Sequence, residues 1–236
     1  MTVYVVAIVE GHTETRCIER LLHRIWSGLL LRPERLHVLN VLRKPRTGLV
    51  HPNGVLLAEQ IEKAAVRLAA RLQEEAGSRS LILVALDAER DCPAQLGRAL
   101  QARATAARSD VAISCVLAKE MFENWIVAGA STLGGILGLP VHIPARTNVE
   151  DMNGATWLDQ QLRSVRGNAK YEKADFAIHF VQAMNLSEAR DNSPSFDKLC
   201  RELEKLIPSP PAPEAGAGEP PPPVAEPPTP ALPPVP

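Results

Sequence analysis

Uninterrupted apolar runs alternate along the first half of the chain with stretches whose apolar positions recur every three or four residues. Val3 to Val9 and Leu81 to Leu86 are continuous and rich in Val, Ile and Leu, the pattern of strands covered on both faces of a parallel sheet. Leu36 to Leu42 and, after Ser109-Asp110, Val111 to Leu117 supply two further β-rich runs. Helical spacing is clear at Ile18, Leu21, Leu22, Ile25 and Leu29, and again at Ile61, Ala65, Leu68 and Leu72. A third helix is predicted within Cys92 to Ala107. Such alternation implies parallel pairing with right-handed crossovers, and therefore a three-layer α/β domain over residues 1–138.

The second half reads differently. Gly138-Leu139-Pro140 and Ile143-Pro144 interrupt helices, while Phe196, Leu199, Leu203 and Leu206 recur at helical spacing behind a cap-like Asp191-Asn192-Ser193. Residues 139–207 therefore read as a helical extension packed on the α/β domain. From Pro208 to Pro236 the chain holds 14 of its 21 prolines and almost no large apolar side chains, which predicts a disordered tail. At roughly 3 Å per residue such a segment spans on the order of 90 Å, as a tether or as an extension with no partner. No internal repeat is found.

Both long apolar runs end in acid. Val9-Glu10-Gly11-His12-Thr13-Glu14 closes the first and Leu86-Asp87-Ala88-Glu89-Arg90-Asp91 the second. In open parallel sheets, ligands collect outside the carboxyl ends of the strands, which puts Glu10, Asp87 and Glu89 on one edge with Asp91 just beyond. Carboxylates gathered in a half-buried place repel one another and lose hydration, and a hard cation removes that cost. Mg²⁺ takes oxygen ligands, keeps several waters and commonly shares its coordination with substrate phosphate, so Mg²⁺ or Mn²⁺ and phosphodiester chemistry follow. The same acids also suit helix starts: His12 or Thr13 opening a helix with Glu14 in its first turn, and Asp91 ahead of Pro93.

Further charged groups flank that edge. Lys119-Glu120-Met121-Phe122-Glu123-Asn124-Trp125-Ile126 is expected to open a helix, with Glu120 and Glu123 on one face and Phe122, Trp125 and Ile126 on the other. Lys119 could stabilise charge on a phosphate, or simply stand at a surface helix start. Arg43-Lys44-Pro45-Arg46 follows the second strand on the same edge, making Arg43, Lys44 and Arg46 candidate nucleic-acid contacts. Arg163, Arg166, Lys170 and Lys173 form a looser basic group that reads as a solvated face. His12 is a base, a phosphate contact or a capping residue.

Taken together, Glu-Gly-x-Thr-Glu after the first strand and Asp-x-Glu-x-Asp after a later one resemble the Toprim signature of topoisomerases, primases and nucleases of the OLD (overcoming lysogenization defect) type. Leu86 to Pro93, Met121-Phe122-Glu123-Asn124-Trp125 and Ser193-Pro194-Ser195-Phe196 further resemble an uncharacterised bacterial family of Toprim-like proteins often encoded beside an AAA-type ATPase. The resemblance covers most of residues 1–207 and implies a sheet of order 2-1-3-4, with strands one and three adjacent. It implies a metal-dependent nuclease of a bacterial defence or DNA-processing system. Asp87 and Glu89 would hold Mg²⁺ or Mn²⁺, Glu10 would be ligand or base, Asp91 and Glu123 further ligands, and Lys119 a catalytic cation. Glu89 stands where the usual signature has Asp, and this motivates the alternative of a non-catalytic regulatory subunit of an ATPase.

Composition narrows the classes. There is no G-x-x-x-x-G-K phosphate loop, so nucleotide-driven control is expected from another subunit. Cys17, Cys92, Cys115 and Cys200 form no C-x-x-C pair, which removes a zinc site and a disulfide framework. Without the acids of the Pro-rich segment the body carries 26 basic against 24 acidic residues, so nucleic-acid binding would need local patches. No apolar stretch suits a bilayer and no basic leader precedes the first strand; a cytoplasmic protein with no membrane contact is expected.

Overall fold

Strands β1 (Thr2–Val9), β2 (Arg35–Arg43), β3 (Arg79–Asp87) and β4 (Ile113–Ala118) form one all-parallel sheet of order β2-β1-β3-β4 in the computed structural model of the chain. The structure describes residues 1–144, 146–168 and 170–207. The Pro-rich segment 208–236, expected to be a disordered tail, lies outside the described residues.

The continuous apolar runs become strands buried on both sides. Val3, Val5, Ala7 and Val9 of β1 and Leu81, Leu83 and Ala85 of β3 face one core; Val6, Ile8, Ile82, Val84 and Leu86 face the other. Alternation of side chains along a strand makes that division. The second core is closed by α3 (Val55–Glu74) and α4 (Pro93–Ala107), through Leu57, Ile61, Leu68 and Leu100. Onto the first packs α1 (His12–His23), burying Ile18, Leu21 and Leu22 and running on through a π-helical turn, Arg24–Leu29, that buries Ile25 and Trp26. A short α2 (Arg46–Val50) follows β2.

Helix α5, at the end of the α/β domain, and the helices of residues 139–207 share that first core. α5 (Glu123–Ala128), α6 (Gly154–Arg166), α7 (Lys173–Ala183), α8 (Leu186–Asn192) and α9 (Pro194–Glu204) bury Trp125, Leu158, Phe180, Phe196 and Leu199 in one cluster with β1, β3 and α1. Ser193 caps α9, its hydroxyl accepting from the Phe196 N–H at 3.2 Å, as the sequence indicated. One expectation fails locally. The helix after β4 opens at Glu123, not at Lys119, because Glu120 has a left-handed backbone (φ 62°) and is bridged to Glu89 across the loop. Glu120 therefore shares no helical face with Glu123. No helix among the described residues is long and apolar enough to cross a membrane.

Candidate functional site

At the carboxyl edge of the sheet, four acidic side chains become neighbours: Glu10 after β1, Glu14 in the first turn of α1, Asp87 at the end of β3 and Glu123 at the start of α5. Asp87 follows Ala85 and Leu83 in strand alternation, which aims it to the α1 side of the sheet. There Glu14, Ile18, Ala118, Phe122 and Trp125 line a narrow crevice with it. Glu10 reaches across from the adjacent strand, and its Oε1 accepts a hydrogen bond from the Asp87 N–H at 2.5 Å.

Electrostatics follow from this gathering. Burial pushes the Asp87 carboxyl well above its ordinary range, with the Glu14, Glu10 and Glu123 charges adding to the shift and the Phe122 N–H opposing it. Burial also raises Glu10, against the Asp87 N–H and the Arg46 guanidinium, and raises Glu14, with Glu123 and Glu10 adding. The Cys17 thiol beneath them is pushed up to about 12, by burial first and then by Glu14 and Glu123. One ammonium offsets the acids directly: Lys173 Nζ lies 3.3 Å from Glu123 Oε1.

Glu123 is fixed by its own motif, Phe122-Glu123-Asn124-Trp125, together with Ser193-Pro194-Ser195-Phe196. Its neighbour Asn124 is buried, donating to the carbonyls of Val149 (2.9 Å), Met152 (2.8 Å) and Lys119 (3.2 Å) and accepting from the Gly154 N–H (2.9 Å). Trp125 Nε1 donates to Ser195 Oγ at 2.9 Å and its ring meets Phe196 edge-on at 5.9 Å. Glu150 Oε1 accepts from both the Ser193 hydroxyl (2.8 Å) and the Ser195 N–H (2.7 Å). Phe122-Glu123-Asn124-Trp125 and Ser193-Pro194-Ser195-Phe196 are thus two halves of one strut under the acidic edge. Gly154 fits against α5 only without a Cβ, which would come within 2.6 Å of Asn124 Oδ1.

Other residues named from the sequence lie elsewhere. Asp91 does not join the acidic group, and Glu89 reaches it only from outside, where its charge adds to the upward shift of Glu10: Ala88 and Glu89 continue toward β4 by bonding Ala118 and Glu120 carbonyls, but Glu89 adopts φ 51° and its side chain is exposed. Arg46 holds both, 3.5 Å from Glu89 and 2.5 Å from Asp91, while its guanidinium donates to the carbonyls of Asp87 (2.9 Å) and Ala88 (3.0 Å). Arg46 is therefore engaged as the clamp of the loop after β3, leaving Arg43 exposed and Lys44 half-buried near the same end of β2. Lys119 forms a 3.6 Å ion pair with Asp151 and does not contact the four acids. His12 is exposed at the first position of α1.

Glu14 was legible as a first-turn acid favoured by the helix dipole, and the structure adds its burial beside Asp87. Its carboxylate folds back over Gly11, where any Cβ would overlap it. Among the described residues no three Asp, Glu, His or Cys side chains already stand close enough together to hold a metal ion. The donor chemistry still suits a hard cation: every member is a carboxylate, and the buried Glu123 Oε1 has no hydrogen-bond partner among the described residues.

These features define an α/β protein with an acidic carboxyl edge braced by a helical extension. The chain belongs to the DUF4276 family, a domain of unknown function, whose model matches residues 9–204. No curated protein and no solved structure gives a significant match.

Proposed function

We propose that the protein is a metal-dependent nuclease that hydrolyses phosphodiester bonds of DNA or RNA at the carboxyl edge of its sheet. The observation that carries this reading is the meeting of Glu10, Glu14, Asp87 and Glu123, from separate segments, in a place where burial opposes the charges of Glu10, Glu14 and Asp87 and the neighbouring acids add to that opposition at Glu14 and Asp87. Asp87 and Glu10 would hold Mg²⁺ or Mn²⁺, with Glu14 and Glu123 completing the set after side-chain rotation. When bound, the cation would neutralise a phosphate and lower the pKa of a water. Glu10, already accepting from the Asp87 N–H, orients that strand end and would serve as ligand or proton acceptor. Arg43 and Lys44, at the end of β2, are the nearest candidates for phosphate contact. The Toprim-like motifs and the missing phosphate loop support a working partnership with an AAA-type ATPase.

Purified protein should nick or cut DNA or RNA with Mn²⁺ or Mg²⁺, alone or with that ATPase, and lose the activity on chelation. Glu10→Gln and Asp87→Asn should each abolish cleavage while keeping the fold, because they remove charge with little change of shape. Cleavage that survives Asp87→Asn would overturn the proposal. A second reading, a non-catalytic subunit regulating an ATPase, draws on Glu89 and Asp91 being taken up by Arg46. It is favoured if the wild type stays silent with every metal and partner while still binding the ATPase.

A further inference from the structure

Lys173 occupies an unusual place. It is the first residue of α7, where the helix dipole disfavours a cation, and the adjacent first-turn acid, Asp175, is turned to Arg16 at 3.3 Å. Its ammonium instead reaches Glu123, whose side chain is only 2% exposed while that of Lys173 is 50% exposed. The 3.3 Å approach to Glu123 Oε1 lies outside hydrogen-bonding geometry, so the buried oxygen is neutralised but not saturated. The helix behind Lys173 is fastened. Arg16 donates to the Ala174 carbonyl at 2.7 Å, and Arg24 donates to those of Val181 (2.6 Å) and Met184 (2.9 Å). From that fastened helix the long, half-exposed Lys173 side chain extends to the acidic edge.

We propose that Lys173 is a tethered counter-cation of the acidic edge: its ammonium holds the position at Glu123 that a divalent cation takes, and metal binding proceeds by exchange of one for the other. This rests on the metal-site reading above. The exchange explains how four neighbouring carboxylates are tolerated before metal arrives, since one buried member keeps a positive partner that can withdraw to water at little cost. Affinity for the cation is thereby lowered by the strength of the ion pair that must be given up.

The test is a calorimetric Mn²⁺ titration of the full chain, stripped with chelator, for wild type, K173Q, K173R and D87N. K173Q should bind Mn²⁺ roughly fivefold more tightly than wild type, the order expected from losing a competing half-exposed ion pair, and K173R should stay near wild type. D87N should bind weakly or not at all. As a second readout, the Mn²⁺-induced rise in thermal midpoint should be larger for K173Q and for Lys173→Met than for wild type, because a ligand of the native state stabilises by mass action. Mn²⁺ binding that is equal or weaker in K173Q, with D87N impaired, overturns the exchange and leaves the metal site standing. Absence of Mn²⁺ binding in both wild type and K173Q overturns the metal site and the exchange with it.

Discussion

Asp87 sits where its charge is opposed by burial and by three acidic neighbours. A carboxyl whose folded pKa lies above its unfolded value contributes stability at low pH, and that contribution is lost as pH rises through the folded value. Asp87, Glu10 and Glu14 all shift in that direction. Metal-free protein should therefore lose stability as pH rises from the ordinary carboxyl range near about pH 4 toward the raised values. Chemical denaturation across that window, without metal, measures the slope. Asp87→Asn should flatten it, raise the metal-free midpoint at neutral pH, and remove most of the Mn²⁺-induced shift. A steeper slope in Asp87→Asn would show that another group governs the window. Gly11→Ala acts on the same place from the other side. The added methyl overlaps only the far end of the flexible Glu14 side chain, so it should displace that carboxylate at little cost in stability while weakening Mn²⁺ binding.

Between elements, the loop after β3 marks where sequence patterning stops being informative. Alternation carried the reading correctly through Asp87, because a strand buried on both faces leaves little freedom of register. Alternation stops at Glu89, where one left-handed residue re-aims the side chain and no glycine or asparagine announces the turn. Arg46 was likewise visible as a cation near the edge, but its engagement with two carbonyls and two acids depends on how α2 approaches β3, which short-range pattern does not encode. The strut was partly legible: Asn124 and Ser195 stood inside motifs, and only the fold joined them. The difference between Asp87 and Glu89 is measurable. Glu89 is 61% exposed, so Glu89→Gln should leave Mn²⁺ affinity and cleavage within about fivefold of wild type, since an exposed ion pair contributes at most about 1 kcal/mol. A loss as deep as that of Asp87→Asn would return Glu89 to the metal site. Arg46→Ala should cost more, about 1–3 kcal/mol of stability read by denaturant unfolding, because buried carbonyls of the β3 loop lose their donor.

Across the whole molecule, the α/β layers and the helical extension are bound by one core rather than by an interface between finished domains. Trp125 of α5 lies against Phe196 of α9, and Ile18, Leu21 and Trp26 share their cluster with Phe180, Val181 and Leu199. Truncation after residue 138 would remove Leu158, Phe180, Val181, Phe196, Leu199 and Leu203 from that cluster and expose the apolar face of α1. Burying each such side chain is worth about 1.5–3 kcal/mol, so six of them amount to about as much as the roughly 5–15 kcal/mol by which a typical domain is stable. The strut beneath Glu123 would be lost in the same cut, since Ser195 and Glu150 lie beyond it. Residues 1–138 alone should therefore give no cooperative thermal transition, bind a hydrophobic dye and show no Mn²⁺ response, whereas residues 1–207 should melt cooperatively and respond to Mn²⁺. A cooperative melt of residues 1–138 would show that β1, β3 and α1 close their core unaided, and would make the extension an addition to the site rather than part of what builds it.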